Sequence, residues 1–208
     1  MELQSYLHDP CGLSSLPWWK RACTPPAGVQ VVHDRNFDSL QWGGGRERRF
    51  FRLRHDLKAL PQAAVSADIQ IRPLAEEDIP ALAAQINASY FHMRITVTER
   101  EVRSWLHRPV CCTDLWLGAF CDGLLAGSLV CDLDREIGEG IVEWLQVLPL
   151  YRGRGIGRAL LCQGLRILAE RAAFVTVSGD CGNETNPERL YRSCGFTGRD
   201  VWHVITQA

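Results

Sequence analysis

The sequence predicts a mixed α/β fold, and three observations support that class. Residues 69–74 alternate apolar and polar side chains, as a half-buried strand does. Residues 156–172 instead repeat apolar side chains at helical spacing, which predicts an amphipathic helix. Around these segments the patterns follow one another in the order β-α-α-β-β-β-α-β-α-β. A chain of 208 residues, 46% of them hydrophobic, can bury such a core without a metal or a disulfide.

Two helices are predicted after the strand at residues 69–74, each from the residues at its start. Residues 76–78 are all acidic, and acidic side chains in a first turn interact favourably with the helix dipole. Thr98 and Glu101 have the spacing of a capping box, so we predict a second helix that runs to about His107. Three strands are then predicted at residues 115–120, 124–131 and 141–147.

The last third of the chain contains a long helix, a strand, a short helix and a final strand. Asn186 as N-cap and Pro187 at the first helical position predict the short helix, which ends near Cys194. The two strands are predicted at residues 174–177 and 201–205. Only 13 residues follow Gly195, and the final strand lies among them.

The first 66 residues differ from the rest, so we predict an N-terminal extension at 1–66 and a domain at 67–208. The extension carries nine basic and six acidic residues, and the later part carries 14 and 18. Residues 29–33 and 50–54 are strand-like, and loop-like stretches lie at 24–28 and 43–45. We therefore predict a β-hairpin with a long loop within the extension.

Bulk composition argues against several classes of protein. The 23 basic and 24 acidic residues give a net charge of −1, which does not favour nucleic acid or an anionic membrane as a partner. Residues 115–130 are apolar, but Asp122 and three glycines interrupt them, so we do not expect a spanning helix. The first residues lack the pattern of a secretory signal, and the nine cysteines include no C-x-x-C spacing. We therefore expect reduced thiols and a cytoplasmic location.

A metal site is not expected from the sequence. His8, Cys11 and Cys23 contain ligand atoms for zinc, but a fourth ligand is missing and the spacing matches no common pattern. We predict that the cysteines act as small buried apolar residues and that the protein needs no metal.

The most informative segment is the glycine-rich turn at residues 152–158, which joins a predicted strand to a predicted helix. Such a turn directs several backbone N–H groups toward one point, where they can hold phosphate. Its three arginines add positive charge, and its alternating glycines each carry an entropic cost that needs a reason. The turn is not a P-loop, because no lysine follows the glycines, and Arg158 stands where a dinucleotide fingerprint requires glycine.

Two motifs identify a family resemblance. Arg152-Gly153-Arg154-Gly155-Ile156-Gly157 fits Arg/Gln-x-x-Gly-x-Gly/Ala, and Tyr191-Arg192-Ser193-Cys194-Gly195-Phe196 contains Tyr-x-x-x-Gly-Phe. With these motifs and the elements around them, residues 68–208 resemble the GNAT superfamily of acyl-CoA-dependent N-acetyltransferases. The resemblance implies that superfamily's fold, a mixed, mostly antiparallel central sheet flanked by helices. It also implies transfer of an acetyl group from acetyl-CoA, as co-substrate, to an amine.

The resemblance further implies which residues contact acetyl-CoA. The N–H groups of the glycine-rich turn are expected to hold the pyrophosphate, and the preceding strand is expected to hold the pantetheine arm and face the acetyl carbonyl. Asn183 and Asn186 are additional candidates for the arm, although a helix cap explains Asn186 equally well. The predicted contacts are Leu145, Gln146, Val147, Arg152, Gly153, Arg154, Gly155, Ile156, Gly157, Arg158, Asn183 and Asn186.

Two catalytic residues are predicted. Tyr191 matches the family's tyrosine, and a phenol with a pKa near 10 can protonate the leaving thiolate while neutral at pH 7. Glu143 is the predicted base, because it lies on the strand that leads into the turn, and the period-two rule puts it on one face with Leu145 and Val147. A water chain is an alternative base, and His203 and Asp180 are weaker candidates.

The expected function is direct acetyl transfer, in a ternary complex, to a primary amine of a small molecule, peptide or protein. The alternative is a non-catalytic module that binds or senses acyl-CoA, although the presence of both Tyr191 and Glu143 favours the enzyme. The acidic run at residues 132–139 either attracts a cationic amine or is a solvated turn. We expect a monomer or a homodimer, in which residues 1–66 pack on the core and shape the acceptor site.

Overall fold

The computed structural model describes residues 1–42 and 45–207, so Gly43 and Gly44 of the predicted loop lie outside the described residues. The helices are α1 (Leu3–His8), α2 (Ser39–Trp42), α3 (Ile79–Ser89), α4 (Glu99–Trp105), α5 (Ile156–Ala169) and α6 (Pro187–Ser193). The strands are β1 (Val29–His33), β2 (Arg46–His55), β3 (Ile69–Pro73), β4 (Cys111–Cys121), β5 (Leu124–Asp134), β6 (Glu139–Val147), β7 (Phe174–Asp180) and β8 (Thr197–Thr206).

The chain forms two compact units. The central unit is Leu57–Val175, and the terminal unit combines Met1–Asp56 with Thr176–Ala208. The predicted fold class, a mixed α/β fold with a mostly antiparallel sheet and flanking helices, is confirmed. The predicted division of the sequence into 1–66 and 67–208 stays a prediction about domain organisation.

In the central unit, strands β3 to β6 pair in chain order, and each pair is antiparallel. Helices α3 and α4 cover one face of these strands. Val130 of β5 belongs to the core on that face, together with Trp105 and Trp116. The other members of this core are Leu74, Ile79, Leu82, Ala83, Ile86, Val97, Val102 and Leu125. In α3 the buried residues recur three or four positions apart, which is why that helix buries one side.

Helix α5 covers the opposite face of the same strands. Neighbouring strand residues point to opposite faces, so Leu129 lies on the side away from Val130. A Cβ atom added to Gly164 of α5 would lie 2.5 Å from Leu129 Cδ2, and one added to Gly127 would lie 2.8 Å from Ile156 Cγ2. The two glycines therefore let α5 lie close against β5, and Gly127 does so at the first residue of the helix.

In the terminal unit, β8 pairs antiparallel with both β1 and β2. Val204 faces Val31 of β1 on one edge and Arg48 of β2 on the other. The predicted hairpin is therefore wrong, because β8 lies between its two strands. An isolated two-stranded hairpin is marginally stable, and a third strand between the two gives each of them a full ladder of hydrogen bonds.

A buried arginine connects several segments of the terminal unit. The side chain of Arg52 in β2 is 2% exposed. Its guanidinium donates to the hydroxyl of Tyr6, the carbonyl of Pro10 and the hydroxyls of Thr176 and Ser178. The N-terminal residues and residues 176–180 of β7 are thereby joined to β2 through one side chain.

The acidic run is not simply a solvated turn. Asp132, Asp134 and Glu139 are buried, because β5 and β6 extend into the run and pair Asp134 with Glu139. The sequence suggested a turn because acidic residues are usually solvated. Only residues 135–138 connect the two strands.

All nine cysteines are described, and all are free thiols. Within residues 1–42 and 45–207, no helix is long and apolar enough to cross a membrane.

Candidate functional site

The glycine-rich turn has the geometry of an anion-binding helix start. Gly153 and Gly155 both have φ +78°, a left-handed conformation that L side chains rarely adopt. Gly155 is the N-cap of α5, a helix of 14 residues. The first helical hydrogen bond runs from Ala159 N–H to Gly155 C=O at 3.0 Å, so the N–H groups of residues 156–158 precede it. Residues 152–155, which lead into this helix start, are exposed, whereas Ile156 is buried and Gly157 and Arg158 are half-buried. Unbonded N–H groups at the start of a helix can hold phosphate.

Two of the turn's arginines hold the turn in place. Arg152 Nε donates to the carbonyl of Val147 at 3.1 Å, and its Nη2 donates to the carbonyl of Ser89 at 3.0 Å. These bonds join the turn to the end of β6 and to the last residue of α3. Arg154 forms an ion pair with Asp68 and approaches Cys121 Sγ at 3.8 Å. The charge of Arg154, which the sequence suggested for phosphate, is thus shared with a carboxylate just before β3.

The Asp68 carboxyl has a strongly lowered pKa of about 2. The hydrogen bond from Ser66 is the largest cause, followed by the hydrogen bond from Arg154 and a smaller one from Cys121. All three donors favour the ionised carboxylate over the neutral acid. The ion pair that holds Arg154 therefore persists over the whole physiological pH range.

Glu143, the predicted base, lies at a β-bulge in β6. Val130 faces Trp144, but the next residue of β5, Cys131, faces Val142, so Glu143 is the extra residue of β6. Bulges re-aim side chains and occur often beside active sites. The period-two count that put Glu143 on one face with Leu145 and Val147 does not extend through this bulge. A bulge is set by the pairing of two strands, so the sequence of one strand did not indicate it.

The predicted pantetheine strand is bonded to α3 by a tyrosine that sequence reasoning missed. Tyr90, the residue after α3, donates its hydroxyl to the carbonyl of Leu145 at 3.1 Å. Burial raises the pKa of Tyr90 to about 12, while the nearby Arg152 charge acts in the opposite direction. Tyr90 therefore stays neutral and keeps its donor hydrogen at any pH near neutrality. Its ring also meets Trp144 edge to face, with ring centres 5.8 Å apart.

A buried chain of polar side chains continues this connection between α3 and β6. Ser128 Oγ donates to Gln85 Oε1 at 2.7 Å and accepts a hydrogen bond from Gln146 Nε2. Gln85 Nε2 then donates to the carbonyl of Gln146 at 3.3 Å. Because Ser128 gives its only hydrogen to Gln85, the orientation of the Gln85 amide is fixed.

The other predicted site residues belong to the terminal unit. Tyr191 of α6 is 6% exposed and packs near Phe51 and Phe196, with ring centres 6.1 and 5.7 Å away. Asn186 is the N-cap of α6 and accepts from Arg189 N–H. Asn183 Oδ1 accepts from the N–H and the hydroxyl of Thr185, at 3.0 and 2.8 Å. Both asparagine side chains thus make local hydrogen bonds.

The two weaker base candidates have charged neighbours in the same unit. His203 lies between Glu47 and Asp34, at 2.7 and 2.9 Å. Asp180 accepts a hydrogen bond from Arg48 at 2.6 Å. Across the described part of the chain, no group of three or more His, Cys, Asp or Glu side chains is arranged to hold a metal ion.

The pKa of Asp68 gives a direct test of the contacts that hold the turn. We expect NMR titration to find this carboxyl near pKa 2, and Ser66→Ala to raise it more than Arg154→Ala does. A lowered pKa means that the pair contributes stability above about pH 4 and loses it as the pH falls toward 2. Asp122, an exposed aspartate in the β4–β5 turn, serves as the control carboxyl in the same spectra. An Asp68 pKa near 4 in the unaltered protein contradicts these contacts.

Comparison with known proteins agrees with this geometry. A model of the acetyltransferase (GNAT) domain matches residues 113–198. The mycothiol acetyltransferase of Kineococcus radiotolerans is 29% identical over 206 residues, which are 94% of this chain and 63% of that protein. The chain therefore spans less than two thirds of the length of this relative.

Solved structures share the fold. A GCN5-related N-acetyltransferase from Sphaerobacter thermophilus superposes with a TM-score of 0.70 at 22% identity, covering 87% of this chain and 60% of that one. The ribosomal-protein-S18-alanine N-acetyltransferase of Escherichia coli gives a TM-score of 0.54 at 19% identity, covering 67% of this chain and 96% of that one. Residues 113–198 therefore match the acetyltransferase (GNAT) domain, and the chain shares the fold of GCN5-related N-acetyltransferases.

Proposed function

We propose that the protein is an acetyl-CoA-dependent N-acetyltransferase that transfers the acetyl group directly to a primary amine in a ternary complex. The observation that carries this proposal is the turn at residues 152–158, which is exposed at residues 152–155 and leads into the N–H groups that precede the first hydrogen bond of α5. Helix starts of this form bind the phosphates of nucleotides. Both the activity and the chemical type of the acceptor, a primary amine, belong to the proposal.

The residues of the central unit fit acetyl-CoA. Gly153 and Gly155 adopt backbone conformations that place no side chain over the N–H groups, and a Cβ added to Gly153 would meet nothing within 4 Å. The turn would hold the pyrophosphate, and residues 145–147 of β6 would hold the pantetheine arm. When bound, acetyl-CoA supplies an acetyl group already activated as a thioester.

The protein's own groups would complete the transfer. The amine nitrogen forms a bond to the acetyl carbon, the carbon–sulfur bond breaks, and the amine loses a proton while the thiolate gains one. We propose Glu143, acting directly or through water, as the base that receives the proton of the amine. Tyr191 is the proposed acid for the thiolate, because a neutral phenol can donate a proton at pH 7.

Two acceptor classes lie within the proposal. The Kineococcus relative is named for mycothiol, and the Escherichia coli neighbour is named for the alanine of a ribosomal protein. A small-molecule amine and a protein amine are therefore both to be tested.

We retain a cytoplasmic location, no nucleic acid, membrane or metal partner, and a monomer or homodimer as predictions. The free thiols are consistent with a reducing compartment.

The function is tested by incubating the full chain with acetyl-CoA and a panel of amines and measuring release of free CoA thiol. Calorimetry with acetyl-CoA measures binding in the same samples. We expect binding, and thiol release that depends on the amine. Absence of acetyl-CoA binding contradicts the proposal. Tight binding without turnover on any amine supports the sensing module instead.

The glycine-rich turn is tested by two glycines with the same backbone conformation. Gly155 and Gly123 both have φ +78°, and a Cβ added to Gly123, in the β4–β5 turn, would meet nothing within 4 Å. Alanine at either position costs about 1–2 kcal/mol of strain, so both variants lose similar stability. Only Gly155→Ala shifts the N–H groups of the turn, and we expect its Kd for acetyl-CoA to rise about tenfold or more. Equal Kd values for the two variants would refute the role of the turn.

The proposed acid is tested by Tyr191→Phe, which removes one hydroxyl. General acid catalysis contributes about 10²–10⁴-fold, so we expect kcat to fall by about 100-fold or more while the Kd for acetyl-CoA changes little. Tyr151→Phe makes the same chemical change on a half-buried tyrosine and serves as the control. A normal kcat in Tyr191→Phe removes this residue from the mechanism.

A further inference from the structure

Three consecutive backbone carbonyls at the end of β6 accept hydrogen bonds from side chains. Tyr90 donates to the carbonyl of Leu145 at 3.1 Å, Gln85 to that of Gln146 at 3.3 Å, and Arg152 to that of Val147 at 3.1 Å. We call Gln85, Tyr90 and Arg152 the carbonyl clamp. Side chains bond to backbone carbonyls throughout proteins, but three in a row on one strand fix every peptide group of that stretch.

The strand register shows which way these groups point. Leu148 N–H donates to Ala126 C=O at 2.9 Å, so these two residues form a hydrogen-bonded pair of the antiparallel ladder. Hydrogen-bonded and non-bonded pairs alternate, so the pair Gly127–Val147 and the pair Leu129–Leu145 are non-bonded. The N–H and C=O groups of Leu145 and Val147 therefore point away from β5.

The clamp also sets the direction of N–H groups that it does not touch. A carbonyl and the N–H of the next residue lie in one rigid, trans peptide plane and point in opposite directions. The bond from Gln85 to the carbonyl of Gln146 therefore fixes the N–H of Val147. The bonds from Tyr90 and Arg152 hold the peptide planes on either side, so rotation about the backbone of this stretch is restricted.

Three features make the clamp rigid. Gln85 is 3% exposed, and Ser128 fixes the orientation of its amide from the other side. The hydroxyl of Tyr90 stays protonated because burial raises its pKa to about 12. Arg152 is held by a second bond, to the carbonyl of Ser89 at 3.0 Å.

We propose that the carbonyl clamp positions the N–H group of Val147 for the thioester of acetyl-CoA. The carbonyls of Leu145 and Val147, which flank this N–H group on the same side of the strand, already accept hydrogen bonds from Tyr90 and Arg152. A ligand at this stretch would therefore meet an N–H donor rather than carbonyl acceptors. Donors suit a thioester carbonyl and, still more, the oxyanion that forms when the amine attacks. The inference rests on the proposed function and assigns its members as positioning residues, since they act through the backbone of β6.

The test variant is Tyr90→Phe, which keeps the ring beside Trp144 and removes only the hydroxyl. Removing one oxyanion donor outright costs about 10²–10³-fold in kcat, and a displaced donor costs less, so we expect kcat to fall about tenfold. The Kd of Tyr90→Phe for CoA, which has no acetyl group, should stay within about twofold of the value for the unaltered protein. The free thiol of CoA does not use the oxyanion donors. Because Tyr90 stays neutral, the ratio of kcat in Tyr90→Phe to kcat in the unaltered protein should be constant from pH 7 to 10.

A readout independent of turnover is hydrogen exchange in the ligand-free protein. We expect the amide of Val147 to exchange faster in Tyr90→Phe than in the unaltered protein. Tyr151→Phe is the matched control and should change neither exchange nor kcat. Gln85→Met, which keeps the side-chain length but removes the amide, should reproduce the loss of kcat. The melting temperature of each variant establishes that it is folded.

The outcomes separate the two claims. An unaltered protein that neither binds acetyl-CoA nor releases thiol contradicts the proposed function. A normally active protein in which Tyr90→Phe leaves kcat and amide exchange unchanged overturns the positioning role alone. The positioning role is also overturned if Tyr90→Phe lowers kcat and raises the Kd for CoA in parallel. The clamp would then serve general binding of the cofactor.

Discussion

The arrangement of the central unit depends on one guanidinium group. Arg152 donates to the carbonyl of Val147, at the end of β6, and to the carbonyl of Ser89, at the end of α3. These are carbonyls that a strand end and a helix end leave without a regular partner. By satisfying both, Arg152 fixes the start of the glycine-rich turn relative to the strand before it and the helix beside it. The turn can therefore present N–H groups without support from its own exposed glycines.

Arg152 and Arg154 make different kinds of contact, which their shared positive charge does not indicate. Arg152 makes structural bonds to neutral carbonyls, and Arg154 is paired with Asp68, whose carboxyl stays ionised at physiological pH. In the proposed function, phosphate is therefore held mainly by backbone N–H groups at the start of α5, which do not titrate near neutral pH. Side-chain charge would then hold the turn, and backbone dipoles would bind the ligand.

Features that depend on neighbouring residues were predictable from the sequence, and features that depend on distant residues were not. The capping box of Thr98 and Glu101, the N-cap Asn186 and the glycine-rich turn were all predicted from residues within a few positions, and the structure contains each of them. The hairpin was predicted wrongly, because its two strands pair with β8, which follows them by about 140 residues or more. The bulge at Glu143, the pairing of Arg154 with Asp68 and the bond of Tyr90 to β6 also join distant segments, so no local pattern indicated them. The roles of Tyr191, Asn183 and Glu143 remain predictions.

The central claim is that the N–H groups of residues 153–158 hold the pyrophosphate of acetyl-CoA. It is tested most directly by residue-resolved amide hydrogen exchange of the full chain, measured with and without saturating acetyl-CoA. The account predicts that exchange at Gly153, Gly155 and Gly157 slows markedly on binding, while exchange at Gly123, the glycine of the β4–β5 turn, is unchanged. Acetyl-CoA that binds without slowing exchange anywhere in residues 153–158 would contradict it.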